Sequence, residues 1–158
     1  TEGTDVRDDS HLEAWRLLDE SAAGMRITRP LKEGVRIGTG MVIAIKTSDS
    51  QRFTLGCVRW ALREGEDALV AGIQLFPGET QPVALRPVET SGPKGAWRQG
   101  FILPEIPALK ETATVVLPPG SFRLDRSIEV MADEKIQVLK LFRVVDRGIE
   151  FERCNFQD

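Results

Sequence analysis

Three residues near the start of the chain, Asp19, Ser21 and Gly24, have types and spacing that could bind a small polar ligand. A carboxylate accepts hydrogen bonds, a hydroxyl both donates and accepts them, and a glycine lets a ligand approach the backbone closely. Beside open backbone N–H groups, such a cluster can bind a base edge or a phosphate. The same string also describes an ordinary tight turn, since Gly24 permits a positive φ. On these residues alone, both interpretations stay open.

The composition is that of an ordinary globular protein. The chain has 158 residues, of which 41% are hydrophobic and 28% are charged, enough for one large domain or two small domains with real cores. No apolar run approaches the length needed to cross a bilayer, so no membrane partner is expected. The net charge is −3 and the basic residues are scattered, which argues against a nucleic acid polymer as a partner.

Residues suited to catalysis or metal binding are scarce. The chain has one histidine, His11, and no tyrosine, and no serine or cysteine has an identifiable base partner of the kind that catalysis requires. Cys57 and Cys154 lie far apart in apolar, strand-like surroundings, without metal-ligand spacing. We therefore predict a non-enzymatic, cytoplasmic protein with two reduced core thiols, no metal site and no cofactor.

Short apolar or alternating runs, separated by turns rich in Gly and Pro, predict an all-β chain. Residues 1–10 are polar and are predicted to form a mobile lead-in. Between residues 11 and 88, five or six strands follow at short spacing with glycines at the bends, as in a small antiparallel barrel. Strands are expected at 25–28, 41–46, 52–62, 68–76 and 81–86. Residues 11–18 could form a short helix or a first strand, and their alternation favours the strand.

The second half of the chain repeats this pattern after a segment rich in Pro, Gly, Ser and Thr. We place a linker at 89–95 and a second barrel-like domain at 96–158. Its strands are expected at 96–103, 113–117, 127–131, 136–145 and 148–156. In the last strand, alternation directs Ile149 and Phe151 inward and Glu152 outward. The predicted fold is thus two small antiparallel β-barrel domains in tandem.

Within the first predicted barrel, residues 15–86 resemble the PilZ family, bacterial β-barrel domains that are receptors for cyclic di-GMP. The family's Asp/Asn-x-Ser-x-x-Gly motif matches residues 19–24, and a strand follows at 25–28. Val58-Arg59-Trp60 is similar to the end of a long strand in the family, and residues 71–76 look like its Val-Gly-Val-x-Phe strand. The four matches occur in the family's order, so they are more specific than the short motif alone.

The resemblance implies a nucleotide site in which Asp19 and Ser21 bind a guanine edge and Gly24 lets the ligand approach the backbone. The family's site has a second part, an Arg-x-x-x-Arg motif upstream of this turn, and the residues before Asp19 contain no such pair. Two literal matches, at 59–63 and 143–147, come after the turn. This departure puts nucleotide binding in doubt, because two phosphate charges need cationic partners.

Three explanations for the missing motif stay open. The pair precedes Thr1, or other arginines such as Arg26, Arg29 and Arg59 bind the nucleotide, or the nucleotide is not bound. The first hypothesis for function is therefore a regulatory protein of bacterial signalling that responds to cyclic di-GMP. The alternative is a degenerate PilZ-like scaffold that acts through contact with a protein partner of unknown identity, for instance at exposed strand edges.

Two details of side-chain placement follow from the same patterns. Alternation places Arg59 opposite both Val58 and Trp60, on the outer face of the barrel. Each of the three tryptophans is expected in a core or at a barrel end, where aromatic side chains are commonly found. The second barrel carries no motif for chemistry, and either a docking role or a diverged copy of the first barrel is compatible with it.

Overall fold

The computed structural model describes residues 13–32 and 37–158. The predicted lead-in, residues 1–10, and His11 lie outside the described residues. Eleven β-strands and one short 3-10 helix, Pro107–Leu109, make up the regular structure of the described part. The all-β prediction is therefore confirmed. Within the same residues there is no helix of the length and hydrophobicity that membrane crossing requires.

The first five strands form one antiparallel sheet. Their spatial order is β1-β2-β5-β4-β3, so the first half is a five-stranded sheet with edges at β1 and β3. The alternation of apolar and polar residues and the polar turns between the strands explain their formation. The strands are β1 (Arg16–Glu20), β2 (Gly24–Pro30), β3 (Val42–Ile45), β4 (Thr54–Glu64) and β5 (Ala68–Leu75).

The remaining six strands form a closed barrel in the order β10-β11-β8-β7-β6-β9. Closure satisfies the backbone hydrogen-bonding groups that an open sheet would leave at its edges. The strands are β6 (Gln81–Pro87), β7 (Arg98–Leu103), β8 (Thr114–Leu117), β9 (Ser127–Ala132), β10 (Lys135–Arg147) and β11 (Glu152–Gln157).

Strand β6 belongs to the closed barrel, although the sequence-based boundary between residues 88 and 89 places it in the first domain. It pairs with β7 and β9 and not with a strand of the sheet. The segment 89–95, predicted as a linker, connects two paired strands of the barrel. A hairpin connection and a linker are both rich in Gly and Pro, so composition does not distinguish them.

A shared apolar cluster joins the sheet to the barrel. It contains Leu55, Cys57 and Phe76 from the first half and Leu103, Val116 and Phe151 from the second half. The Phe76 and Phe151 rings meet edge to face, with centroids 5.3 Å apart. The sheet and the barrel also have separate clusters of their own. The two units are thus packed together through a common core, and neither is isolated by a flexible linker.

Hydrogen bonds reinforce this junction at the turn between β10 and β11. The Val42 N–H donates to Oε2 of Glu150 at 3.1 Å, and the Glu150 N–H donates to the Gly40 carbonyl at 3.3 Å. Gly40 has φ +89°, and a Cβ there would lie 2.7 Å from the backbone nitrogen of Ile149. Only glycine fits both the conformation and the close approach.

Both cysteines are fully buried and unpaired, which agrees with the prediction of reduced core thiols. Burial raises the pKa of the Cys57 thiol and raises that of Cys154 to about 12. Because the thiolate is the reactive form, neither thiol of the folded protein should react with a disulfide reagent such as DTNB at pH 8. Two thiols should react after denaturation in urea. Rapid labelling of the folded protein would contradict the packing described above.

Candidate functional site

The Asp-x-Ser-x-x-Gly motif spans the end of β1, the connecting residues 21–23 and the first residue of β2. Asp19 and Arg26 are cross-strand partners, and their side chains form a 2.7 Å ion pair that is about half exposed. The Ser21 N–H donates to the Gly24 carbonyl at 2.8 Å and closes the turn. The Ala23 carbonyl accepts from the Leu75 N–H of β5. The motif is therefore held by its own backbone and by the neighbouring strand, which leaves the Ser21 side chain exposed.

Gly24 is needed for a different reason from the one that the turn prediction gave. It is the first residue of β2 and is not among the described glycines with positive φ. A Cβ at this position would lie 2.5 Å from the carbonyl oxygen of Ile73. Close packing of β2 against β5 therefore explains the glycine, and the positive φ that a glycine permits is not adopted here.

A depression of about 560 Å³ lies over this turn and the adjoining faces of β2, β4 and β5. Its size falls in the range of small-molecule sites. Five of the predicted site residues line it, namely Asp19, Ser21, Gly24, Arg26 and Arg59. The other lining residues are Glu20, Ala23, Met25, Trp60, Gly72, Ile73 and Gln74.

Arg59 reaches the depression from β4 and is held by two partners. Its Nε–H donates to the Gln74 side-chain oxygen, and Nη2 lies 2.8 Å from Oδ2 of Asp146 on β10. The register of β4 against β5 shifts between Val58 and Trp60, which marks a β-bulge at Arg59. Because of this bulge, Arg59 and Trp60 line the same depression, and the prediction that they point to opposite sides is wrong.

Trp60 lines the depression, whereas the sequence predicted a position in a core or at a barrel end. It lies directly opposite Gly72 in the β4–β5 pair, and a Cβ at Gly72 would overlap the indole ring. The indole therefore packs over a glycine backbone while 39% of the residue stays exposed. One signal in the sequence was available, since a glycine opposite an aromatic residue in a strand pair commonly lets the ring lie flat across it.

Arg29 is the one predicted ligand residue that does not line the depression. It follows Arg26 by three positions on β2 and so lies on the other face, which is buried. Its guanidinium lies 5.0 Å from the centre of the Trp15 ring and 3.4 Å from the Glu13 carboxylate. The structure thus brings five of the six predicted residues together and separates the sixth.

The depression is lined by two carboxylates, those of Asp19 and Glu20, and by two arginines. Asp19 pairs with Arg26, and Arg59 pairs with Asp146 just outside the rim. Each arginine has further N–H donors to offer a planar anion or a base edge. In the part of the chain that the structure describes, no group of three or more His, Cys, Asp or Glu side chains is placed to hold a metal ion. The chemistry of the depression is that of hydrogen bonding and stacking.

The fold and the depression define a β-barrel protein with a candidate small-molecule site, and two comparisons with known proteins refine this class. Residues 83–158 match the model of the family described as the FimW C-terminal beta-barrel domain. This range begins inside β6 and covers the rest of the closed barrel, so the family match agrees with the strand pairing.

The chain is also similar to a curated protein of Pseudomonas aeruginosa named cyclic-di-GMP receptor FimW. The two are 20% identical over 126 residues, which is 80% of this chain and 21% of the relative. The chain therefore spans about a fifth of the length of that protein. No solved structure matches the chain. The comparisons support a β-barrel domain related to a receptor, and neither assigns a role to a residue of the depression.

Proposed function

We propose that this chain is a regulatory module that binds cyclic di-GMP at the depression over the β1–β2 turn. The observation that carries the proposal is the convergence of Asp19, Ser21, Gly24, Arg26 and Arg59 on one surface of suitable size. The similarity to a protein named as a cyclic di-GMP receptor supports the choice of ligand. The PilZ-like character of the sheet, its cytoplasmic location and its lack of enzymatic activity are parts of the same proposal.

Each polar group has a distinct part in the proposed complex. The Asp19 carboxylate accepts from the N–H donors of a guanine, and the Ser21 hydroxyl bonds to the same base edge. The forks of Arg26 and Arg59 bind phosphate or the acceptor edge of guanine with two hydrogen bonds each. Arg29 has no part, because it lies on the buried face.

Trp60 adds a stacking surface to the polar groups of the depression. Its indole rests on Gly72 and exposes part of the ring to the depression. A guanine stacked on this face would gain about 1–3 kcal/mol, the value typical of base–aromatic stacking. Together with Arg26 and Arg59, this contact offers a route to nucleotide binding without the Arg-x-x-x-Arg motif.

A second candidate function is a scaffold that docks a protein and binds no nucleotide. One observation favours it: Ile136, Val138 and Phe142 of β10 are about half exposed on the outer face of the barrel. Several exposed apolar residues on one strand are typical of a contact surface. This scaffold is the expected alternative if the nucleotide fails to bind.

Isothermal titration of cyclic di-GMP into the chain at one fixed salt concentration tests the proposal. Saturable binding is expected. Asp19→Ala should weaken it about tenfold or more, because a hydrogen bond to a charged group contributes about 1.5–3 kcal/mol. Ser21→Ala should weaken it about two- to tenfold, since the lost bond is neutral.

Asp67→Ala is the matched control. Asp67 lies in the turn between β4 and β5 and does not line the depression, so its replacement removes a carboxylate without touching the proposed site. It should leave the affinity unchanged. Absence of binding by the wild-type chain would reject the receptor and favour the scaffold.

A further inference from the structure

Asp146 does not line the depression, but it forms an ion pair with Arg59, one of the two arginines that do. It belongs to β10 of the barrel, at a point where the register against β11 shifts between Val144 and Asp146. Its Oδ2 accepts from Arg59 at 2.8 Å, and its Oδ1 accepts from the Arg147 N–H at 2.9 Å. The carboxylate is therefore fixed by its own backbone and faces the sheet.

The Arg59–Asp146 pair lies beside the hydrogen bonds that join the sheet to the β10–β11 turn. Glu150, four residues after Asp146, bonds to Val42 and Gly40. Gly40 in turn donates its N–H to the carbonyl of Val58, the residue before Arg59. One continuous set of contacts thus leads from the lining of the depression to the barrel.

We propose that a bound dianionic nucleotide takes Arg59 from Asp146, and that Asp146 is a positioning residue that links the nucleotide site to the barrel. This inference rests on the proposed function. Both arginines of the depression are neutralised by a carboxylate in the free protein. A phosphate that takes both donors of the Arg59 fork competes with the Asp146 carboxylate for that cation. Arg59 is the one whose release also loosens a contact between the sheet and the barrel.

If the nucleotide and Asp146 compete for Arg59, Asp146→Asn should bind the nucleotide more tightly than the wild-type protein does. Removing the competing charge should tighten binding of cyclic di-GMP about fivefold or more, the lower range of typical coupling between sites. Asp19→Ala, by contrast, should weaken binding, although Asp19 also pairs with an arginine. Asp146→Glu keeps the negative charge, so its affinity for cyclic di-GMP should equal that of the wild type.

Asp125→Asn serves as the matched control. Asp125 pairs with Lys140 at 3.7 Å, away from the depression, and its φ of +62° is one that asparagine adopts readily. This variant removes the same charge from the barrel without freeing Arg59, and its affinity should not change. Equal tightening by both variants would show a general effect of net charge and would overturn the proposal.

A second test of the exchange follows the backbone amide chemical shifts as cyclic di-GMP is added. In the wild-type protein, cyclic di-GMP should shift the amides of Arg147, Gly148 and Glu150 in addition to those of the depression. In Asp146→Asn, the shifts should be confined to the depression. Unchanged or weaker binding by Asp146→Asn, with normal binding by the wild type, would overturn the exchange and leave the proposed function standing. Absence of binding by the wild type would overturn both.

Discussion

Replacing Phe151 with alanine should lower the free energy of unfolding by about 3–5 kcal/mol, the usual cost of truncating a fully buried aromatic residue. The residue is 1% exposed and its ring packs against Phe76 in the cluster shared by the sheet and the barrel. Because both units contribute to that cluster, the loss should appear for both. Urea unfolding, followed by circular dichroism and by tryptophan fluorescence, measures the change.

Phe142→Ala is the control for this prediction. Phe142 is 48% exposed on β10 of the same barrel, so its truncation should cost less than about 1 kcal/mol. Two separate unfolding transitions in Phe151→Ala, with only the barrel destabilised, would contradict a common core. A loss below 1 kcal/mol would contradict the burial of the ring.

Arg59→Ala should weaken cyclic di-GMP binding about 10- to 150-fold. The substitution removes charge-assisted hydrogen bonds worth about 1.5–3 kcal/mol, and each 1.4 kcal/mol corresponds to a factor of ten. Arg59→Lys should recover only part of the loss, because an ammonium group lacks the planar fork. Isothermal titration at the salt concentration used for the wild type gives the ratio.

Arg52→Ala tests whether this effect is specific. Arg52 pairs with Glu79 at 2.9 Å and is largely exposed, and it does not line the depression. Its removal changes the net charge by the same amount as the Arg59 substitution and should alter the affinity less than twofold. Comparable losses in both variants would assign the effect to long-range attraction and not to a contact.

The strands could be predicted from the sequence because their signals are local. The predicted strand 68–76, for example, agrees with β5 (Ala68–Leu75), since its apolar residues lie between a polar turn and Pro77. The assignment of strands to sheets could not be predicted in this way. Strand β6 pairs with β9, more than forty residues later, and no local feature specifies such a partner.

Alternation also gives wrong side-chain directions at the last strand, which begins later than the sequence pattern suggests. Glu152 was expected outside and Ile149 inside, but β11 begins only at Glu152 and residues 148–151 form a turn. Ile149 is exposed, and Glu152 is buried. The Glu152 carboxylate accepts from Arg147 and from the Phe122 N–H, which satisfies the charge. These partners are supplied by tertiary structure and are not visible in a pattern of period two.

In the candidate site, too, local sequence predicts some positions and tertiary contacts determine the others. Asp19, Ser21, Gly24 and Arg26 are close in sequence, so the motif alone places them together. The position of Arg59 beside Trp60 depends on a bulge, and its pairing with Asp146 joins residues 87 positions apart. The bulge depends on the pairing of β4 with β5 and the ion pair on the packing of the sheet against the barrel, and no local sequence pattern specifies either contact.

The central claim is that cyclic di-GMP binds over the β1–β2 turn. A titration of the isotopically labelled chain with the nucleotide, monitored by amide and indole N–H chemical shifts, tests it most directly. Saturable shifts should be largest at Ser21, Gly24, Gly72 and the Trp60 indole. Shifts confined to the outer face of the barrel, or no shifts at millimolar ligand, would contradict the account.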